Sequence, residues 1–261
     1  MHEFETPGSV SLQIKLPSGR VAVTTADEPR TSVELISTGR RGPDAFDDVI
    51  VRADPRQDGH VISVEQKDRF RWGPIQITWG SDLEVRITCP PGANLDLAGG
   101  STELQVEGEL GEVSAKSASG DLRLQDVRKR LEVKTASGDI SVGAIEAGGS
   151  VVTVSGDLDI RRVHAPLTAR SVSGDIRIGA IEAGELHVQS VSGDARIGVA
   201  RGTRVWIDAV SVSGDLGSEL GLADQAPEAE SDAEQGGKVV PLHVKTVSGD
   251  VAIVRAAEPF A

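Results

Sequence analysis

The tripeptide Ser-Gly-Asp recurs seven times in this chain, with its serines at 119, 137, 155, 173, 192, 213 and 248. The steps between them are 18, 18, 18, 19, 21 and 35 residues. A period near 18 marks a small structural unit that buries its apolar side only by stacking on its neighbours. Helical units are excluded, because glycine and aspartate at every repeat would break each helix.

Alignment on the serine produces columns. Six residues before it stand Val113, Leu131, Gly149, Leu167, Leu186, Ile207 and Leu242. Four before it stand Ala115, Val133, Val151, Ala169, Val188, Ala209 and Val244, and three after it Leu122, Ile140, Leu158, Ile176, Ala195, Leu216 and Val251. Polar residues such as Glu132, Lys134, Arg177 and Arg196 alternate with them. Period-two alternation is the mark of a strand with one buried face. Each unit is thus two short strands joined at Ser-Gly-Asp, with a third apolar point at Val127, Ile145, Val163 and Ile181. Identical residues at equal spacing stack best directly over one another, about 4.8 Å apart. The expected fold is all-β, a single-chain parallel β-solenoid (β-helix) with coils of ~18 residues.

Composition agrees. The chain has 30 glycines, no tyrosine and only seven phenylalanines and tryptophans together, which suits a thin interior filled by small β-branched side chains. The expected organisation is an irregular β region over 1–90, forming caps or early coils, then a regular solenoid over 91–254 and a tail over 255–261. LQIKLPSGRVAV (12–23) fits the coil frame, with Leu12, Ile14, Val21 and Val23 pointing inward. Residues 38–60, with Pro43 and Pro55, read as an inserted loop. A second insertion, within 217–240, carries six acids and no base over 219–237 and reads as solvated. The chain then rejoins the stack for one last coil, 241–254.

The net charge of −13 argues against a nucleic-acid partner, which needs a basic stripe. No apolar run approaches the ~20 residues of a membrane span, so no membrane insertion is expected. The N-terminal MHEFETPGSV has neither a basic nor an apolar leader region, and the one cysteine, Cys89, suits a reducing compartment. The cytoplasm is the expected location, with the cell surface as the alternative.

In the repeated corner, glycine supplies a positive φ, while Ser and Asp hydrogen-bond nearby amides. This makes Asp121, Asp139, Asp157, Asp175, Asp194, Asp215 and Asp250 a carboxylate ladder with a structural role, and Arg123, Arg177 and Arg196 are its expected partners. Calcium is the functional alternative, but Ca²⁺ takes six to eight oxygens and each coil offers one aspartate. The hydroxyls two places upstream, such as Thr135 and Ser171, are expected to bond along the stack.

The S-G-D-[IL]-x-[IVL] units, together with the strand, turn and strand of LEVRITCPPGANLDL (83–97), resemble the bacterial putative-adhesin or toast-rack family of repeat proteins, a domain of unknown function. The resemblance covers nearly the whole chain and implies a β-solenoid without known catalytic residues.

Two other groups stand out. RFRWGPIQITWGSD (69–82) gathers Phe70, Trp72 and Trp79, either an end cap or an interaction patch. His187, Asp208 and His243 share one outward column on three coils successive in sequence. That order puts the two histidines nearly 10 Å apart, so they read as surface residues, with a metal site as the weak alternative. No phosphate loop, Cys–His pair or nucleophile elbow is present. The expectation is a non-enzymatic scaffold or protein-interaction module, without cofactor and capable of self-association. A glycan-binding surface adhesin is the alternative, and a β-helix enzyme the third.

Overall fold

The structure, a computed structural model, describes residues 1–37, 48–66, 83–220 and 239–256. Every element among them is a β-strand. The chain divides into two compact units, Met1–Gly138 and Asp139–Ala261.

The first unit holds β1 (His2–Glu5), β2 (Ser9–Thr25), β3 (Arg30–Ser37), β4 (Val49–Arg56), β5 (Gly59–Gln66), β6 (Leu83–Cys89), β7 (Ala93–Ser117), β8 (Leu122–Val127) and β9 (Leu131–Ser137). The long strand β7 is one coil drawn out: its middle pairs in parallel with β8 (Leu104↔Leu122) and its end with β9 (Val113↔Leu131). On its other side β7 pairs in parallel with β2, placing Leu12 on Leu95 and Val21 on Leu104. Leu12, Ile14, Val21 and Val23 all point into the core, at 1% exposure or less.

β2 comes early in sequence but lies inside the stack. Its outer edge pairs in parallel with β5 and β6 (Leu12↔Ile62, Val21↔Val85). Antiparallel strands follow outside these: β4 on β5, β3 on β6 and β1 on β3. Residues 49–56, which read as loop for their proline and charges, form strand β4, with Pro55 opposite His60. Proline is compatible with an edge strand, where no ladder bond from its nitrogen is needed. Cys89 is fully buried in this unit, and burial pushes its thiol up to about 12, so it is no reactive thiolate.

The second unit holds β10 (Ile140–Ile145), β11 (Gly149–Ser155), β12 (Leu158–Val163), β13 (Leu167–Ser173), β14 (Ile176–Ile181), β15 (Leu186–Ser192), β16 (Ala195–Val199), β17 (Arg204–Ser213), β18 (Leu216–Ser218), β19 (Val239–Ser248) and β20 (Val251–Arg255). Their ladders are parallel, with one register shift between Ile178 and Ile181 where β14 meets β16, and the sequence columns become vertical files: Val151, Ala169, Val188, Val244 and Ala209 in one. Ile145, Val163 and Ile181 close the second strand of each coil and are fully buried.

The order of coils departs from the order of the chain. β15 pairs with β19, and β19 with β17 (Val188↔Val244, Val244↔Ala209). β16 pairs with β20, and β20 with β18. The β19/β20 coil, expected to be last, is inserted between its two predecessors, and β17/β18 lies outside it. Burial follows space rather than sequence: Leu242 and Val251 are 0% and 2% exposed, whereas Leu216 is 53% exposed. The physical reason is that every coil offers nearly the same ladder edge. The 35-residue step then leaves enough chain to pass over one slot and return to it.

Candidate functional site: corner ladders and outer face of the second unit

At the corner, the repeated glycines have positive φ, +128° at Gly174 and Gly193. A Cβ on Gly193 would lie 2.3 Å from the carbonyl oxygen of Gly174 on the neighbouring coil. Glycine is therefore demanded twice, by dihedral and by the closeness of the coils.

The aspartates form a hydrogen-bonded file. The Asp157 N–H donates to Asp139 Oδ1 (2.9 Å), Asp175 N–H to Asp157 Oδ1 (2.9 Å) and Asp194 N–H to Asp175 Oδ1 (3.0 Å). Asp250 N–H then donates to Asp194 Oδ1 (2.9 Å) and Asp215 N–H to Asp250 Oδ1 (2.8 Å). The file itself records the inserted coil, running 194, 250, 215. Each bond has an ionised acceptor and is stronger than a neutral one, which offsets the repulsion of stacked carboxylates. Arg177 adds to it, donating to Asp175 Oδ2 at 2.8 Å and lying 3.6 Å from Asp157. In the first unit Arg123 donates to Asp121 at 2.9 Å. These pairs are half exposed and contribute little each. Arg196 makes no such ion pair among the described residues.

The upstream hydroxyls turn inward, but only Ser117 and Ser211 of them bond along the stack, and Ser171, Ser190 and Thr246 have no hydrogen-bond partner among the described residues. Thr135 donates to the Ser137 carbonyl (2.8 Å), two residues on, and Thr153 likewise to Ser155. Ser117 and Ser211 do reach carbonyls of an adjacent coil, those of Gly100 and Gly249.

Outside, on the face of β11, β13, β15, β19 and β17, one column is apolar and exposed: Val154 (50%), Val172 (46%), Val191 (47%), Val247 (50%) and Val212 (77%). This column departs from the alternation, in which outward strand positions are polar. Its signal was present in the valine that precedes the serine in five of the seven motifs.

A second column of the same face holds the histidines. With β19 inserted, His187 pairs directly with His243, and His243 with Asp208. The separation of nearly 10 Å, which assumed sequence order, is corrected: the ring centroids are 4.7 Å apart and the planes within 7° of parallel. Glu185, at the corner just before β15, joins them. Its Oε1 lies 2.8 Å from His187 Nε2 and 3.4 Å from His243 Nε2. Asp208 Oδ2 lies 3.3 Å from His243 Nδ1, and the Trp206 ring meets His243 edge-on at 5.3 Å. Glu185 lies outside the alternating strand, so the periodicity does not mark it. Phe70, Trp72 and Trp79 lie outside the described residues, as do residues 221–238 of the acidic insertion.

The family model for Toastrack DUF4097 matches residues 10–254. The chain belongs to the Toastrack family. Its coils are those of a β-solenoid domain, and the Ser-Gly-Asp resemblance is confirmed over nearly its full length. Two solved structures are similar to this Toastrack chain. One, described as a putative adhesin from Bacteroides fragilis, is 13% identical, with 97% of this chain and 95% of that chain covered and a TM-score of 0.52. The other, described as a putative adhesin from Parabacteroides distasonis, is 12% identical, with 96% of each chain covered and a TM-score of 0.54. At these identities the likeness is one of fold. No curated protein matches the sequence. Among the described residues of this Toastrack chain no helix is long and apolar enough to cross a membrane.

Proposed function

We propose that this Toastrack chain is a non-enzymatic scaffold, a protein-interaction module that associates with a second copy of itself through the valine column of its second unit. The observation that carries this reading is the run of five exposed valines on consecutive coils. At a coil spacing of about 4.8 Å the run extends roughly 19 Å as an unbroken apolar ridge. Contiguous exposed apolar surface on a water-facing strand marks an interaction site. A ridge of that pitch meshes best with another ladder of equal pitch, and a second copy supplies one. The non-enzymatic part of the proposal draws on the corner, where the carboxylates accept from backbone amides and Thr135 and Thr153 donate to backbone carbonyls.

The test is sedimentation velocity across a concentration series, comparing the native chain with the triple variant Val172→Thr, Val191→Thr, Val247→Thr. Threonine keeps the β-branch and the strand preference but makes the ridge polar. The native chain is expected to form a dimer or larger species, and the variant to associate at least tenfold more weakly with an unchanged melting temperature. A native chain that stays monomeric at about 100 µM, or a variant that associates equally well, rejects the reading. The adhesin description of the two similar structures supports a contact-making role in general. A native monomer retained on a glycan array would replace the second copy with a glycan.

A further inference from the structure

We propose that Glu185, His187 and His243 form a binding site for one divalent transition-metal ion, with Asp208 as the positioning residue of His243. This inference does not rest on the association proposed above.

Three donor atoms from these residues lie within 4.8 Å of one another. Tetrahedral ligands on bonds of about 2.0–2.1 Å stand ~3.3 Å apart. The 3.4 Å between Glu185 Oε1 and His243 Nε2 already has that value, and the 2.8 Å to His187 Nε2 has to open by about half an ångström to match it. The two imidazoles have to turn from parallel to convergent. Their side chains are 44% and 24% exposed, so the surroundings leave room for that turn.

Asp208 sets the chemistry. With an ion bound, the Asp208 carboxylate 3.3 Å from Nδ1 would accept a hydrogen bond from that nitrogen's proton and leave Nε2, beside Glu185, as the ligand atom. That carboxylate–histidine arrangement is the usual support of a metal-binding imidazole. Glu185 Oε1, facing both Nε2 atoms, supplies the negative charge that a divalent ion requires. Two imidazoles and one carboxylate suit zinc, nickel or copper, and are poor ligands for calcium or magnesium. Three protein ligands leave at least one position for water or for a donor from a partner.

The site exists only because the coil order is interleaved. Glu185 and His187 belong to the β15 coil, and His243 enters on β19 from the far side of the acidic insertion. A bound ion would therefore bridge the inserted coil to the coil beneath it.

The experiment uses the full-length chain without an affinity tag, freed of metal by dialysis, and titrated calorimetrically with zinc chloride. Cobalt chloride serves as a parallel spectroscopic probe. The expected result is one strong ion per chain, cobalt absorption of low-symmetry N/O coordination, and a melting temperature that rises with zinc concentration. His187→Ala and His243→Ala are each expected to weaken binding more than tenfold and abolish the cobalt bands. Asp208→Asn is expected to weaken it about tenfold while retaining the bands. His164→Ala, at another histidine flanked by Glu146 and Glu182, should leave both signals unchanged. Absence of saturable zinc binding in the native chain would overturn the site. So would a stoichiometry and affinity that His187→Ala and His243→Ala leave unaltered.

Discussion

Gly193→Ala is expected to destabilise the second unit by about 3 kcal/mol or more, from a positive-φ strain of roughly 1–3 kcal/mol plus a steric term. The residue sits at φ +128°, and an added methyl would meet the Gly174 carbonyl oxygen at 2.3 Å. That oxygen belongs to backbone whose position is set by ladder bonds on both neighbouring coils, so the methyl cannot be relieved by a side-chain rotation. Separating the coils instead would stretch the bond from Asp194 N–H to Asp175 Oδ1 and that from Gly174 N–H to the Ser192 carbonyl. Gly202 is the internal control. Its φ is +82° but nothing lies within 4 Å of its Cβ position. Gly202→Ala should therefore show the dihedral cost alone, about 1 kcal/mol. Urea unfolding of the two variants measures the difference. Equal midpoints would show that coil-to-coil contact does not demand the corner glycine.

Leu242→Ala is expected to cost about 3 kcal/mol, within the range of 2–5 kcal/mol for truncating a fully buried leucine. Leu216→Ala should cost under about 1 kcal/mol, since most of the transfer term is missing where the side chain already faces solvent. Leu242 is 0% exposed on the inserted coil, and Leu216 is 53% exposed on the outer one. A stack in chain order predicts the reverse, because residue 216 would be covered by the coil containing Val251. The contrast therefore reports coil order through energetics alone.

The strands of the repeated part were legible in the residues. Period-two alternation on an 18-residue frame identified the inward columns, and Val133, Val188, Leu158 and Leu186 are all buried as that reading requires. The corner was legible too, since glycine and aspartate have few alternative uses at a fixed spacing. Neighbour order was not. A ladder of near-identical units specifies that coils stack but leaves the choice of neighbour degenerate, as each edge accepts any other. That choice falls to connection lengths and to the ends. One clue did mark the outer coil: Ser218 stands where the other six units place Leu, Val or Ile. A polar residue at an inward position is tolerable only where the core is open. The same degeneracy hid the metal-ligand geometry, because His187 and His243 become neighbours only through the insertion. The valine ridge was hidden differently, by the assumption that an outward residue is polar.

Coil order is the claim on which both the histidine cluster and the exposure of Leu216 depend, and cysteine cross-linking tests it most directly. In the interleaved order Val191 lies one coil from Val247, between the register pairs Ser190↔Thr246 and Ser192↔Ser248. Val212 lies on the far side of Val247, so it stands two coils, roughly 10 Å, from Val191. A disulfide needs Cα atoms within about 7 Å. The double variants Val191→Cys/Val247→Cys and Val191→Cys/Val212→Cys would be oxidised at low concentration and read as intramolecular products by mass. Buried Cys89 remains in both. The interleaved stack predicts a cross-link in the first variant and none in the second, and a cross-link only in the second would contradict it.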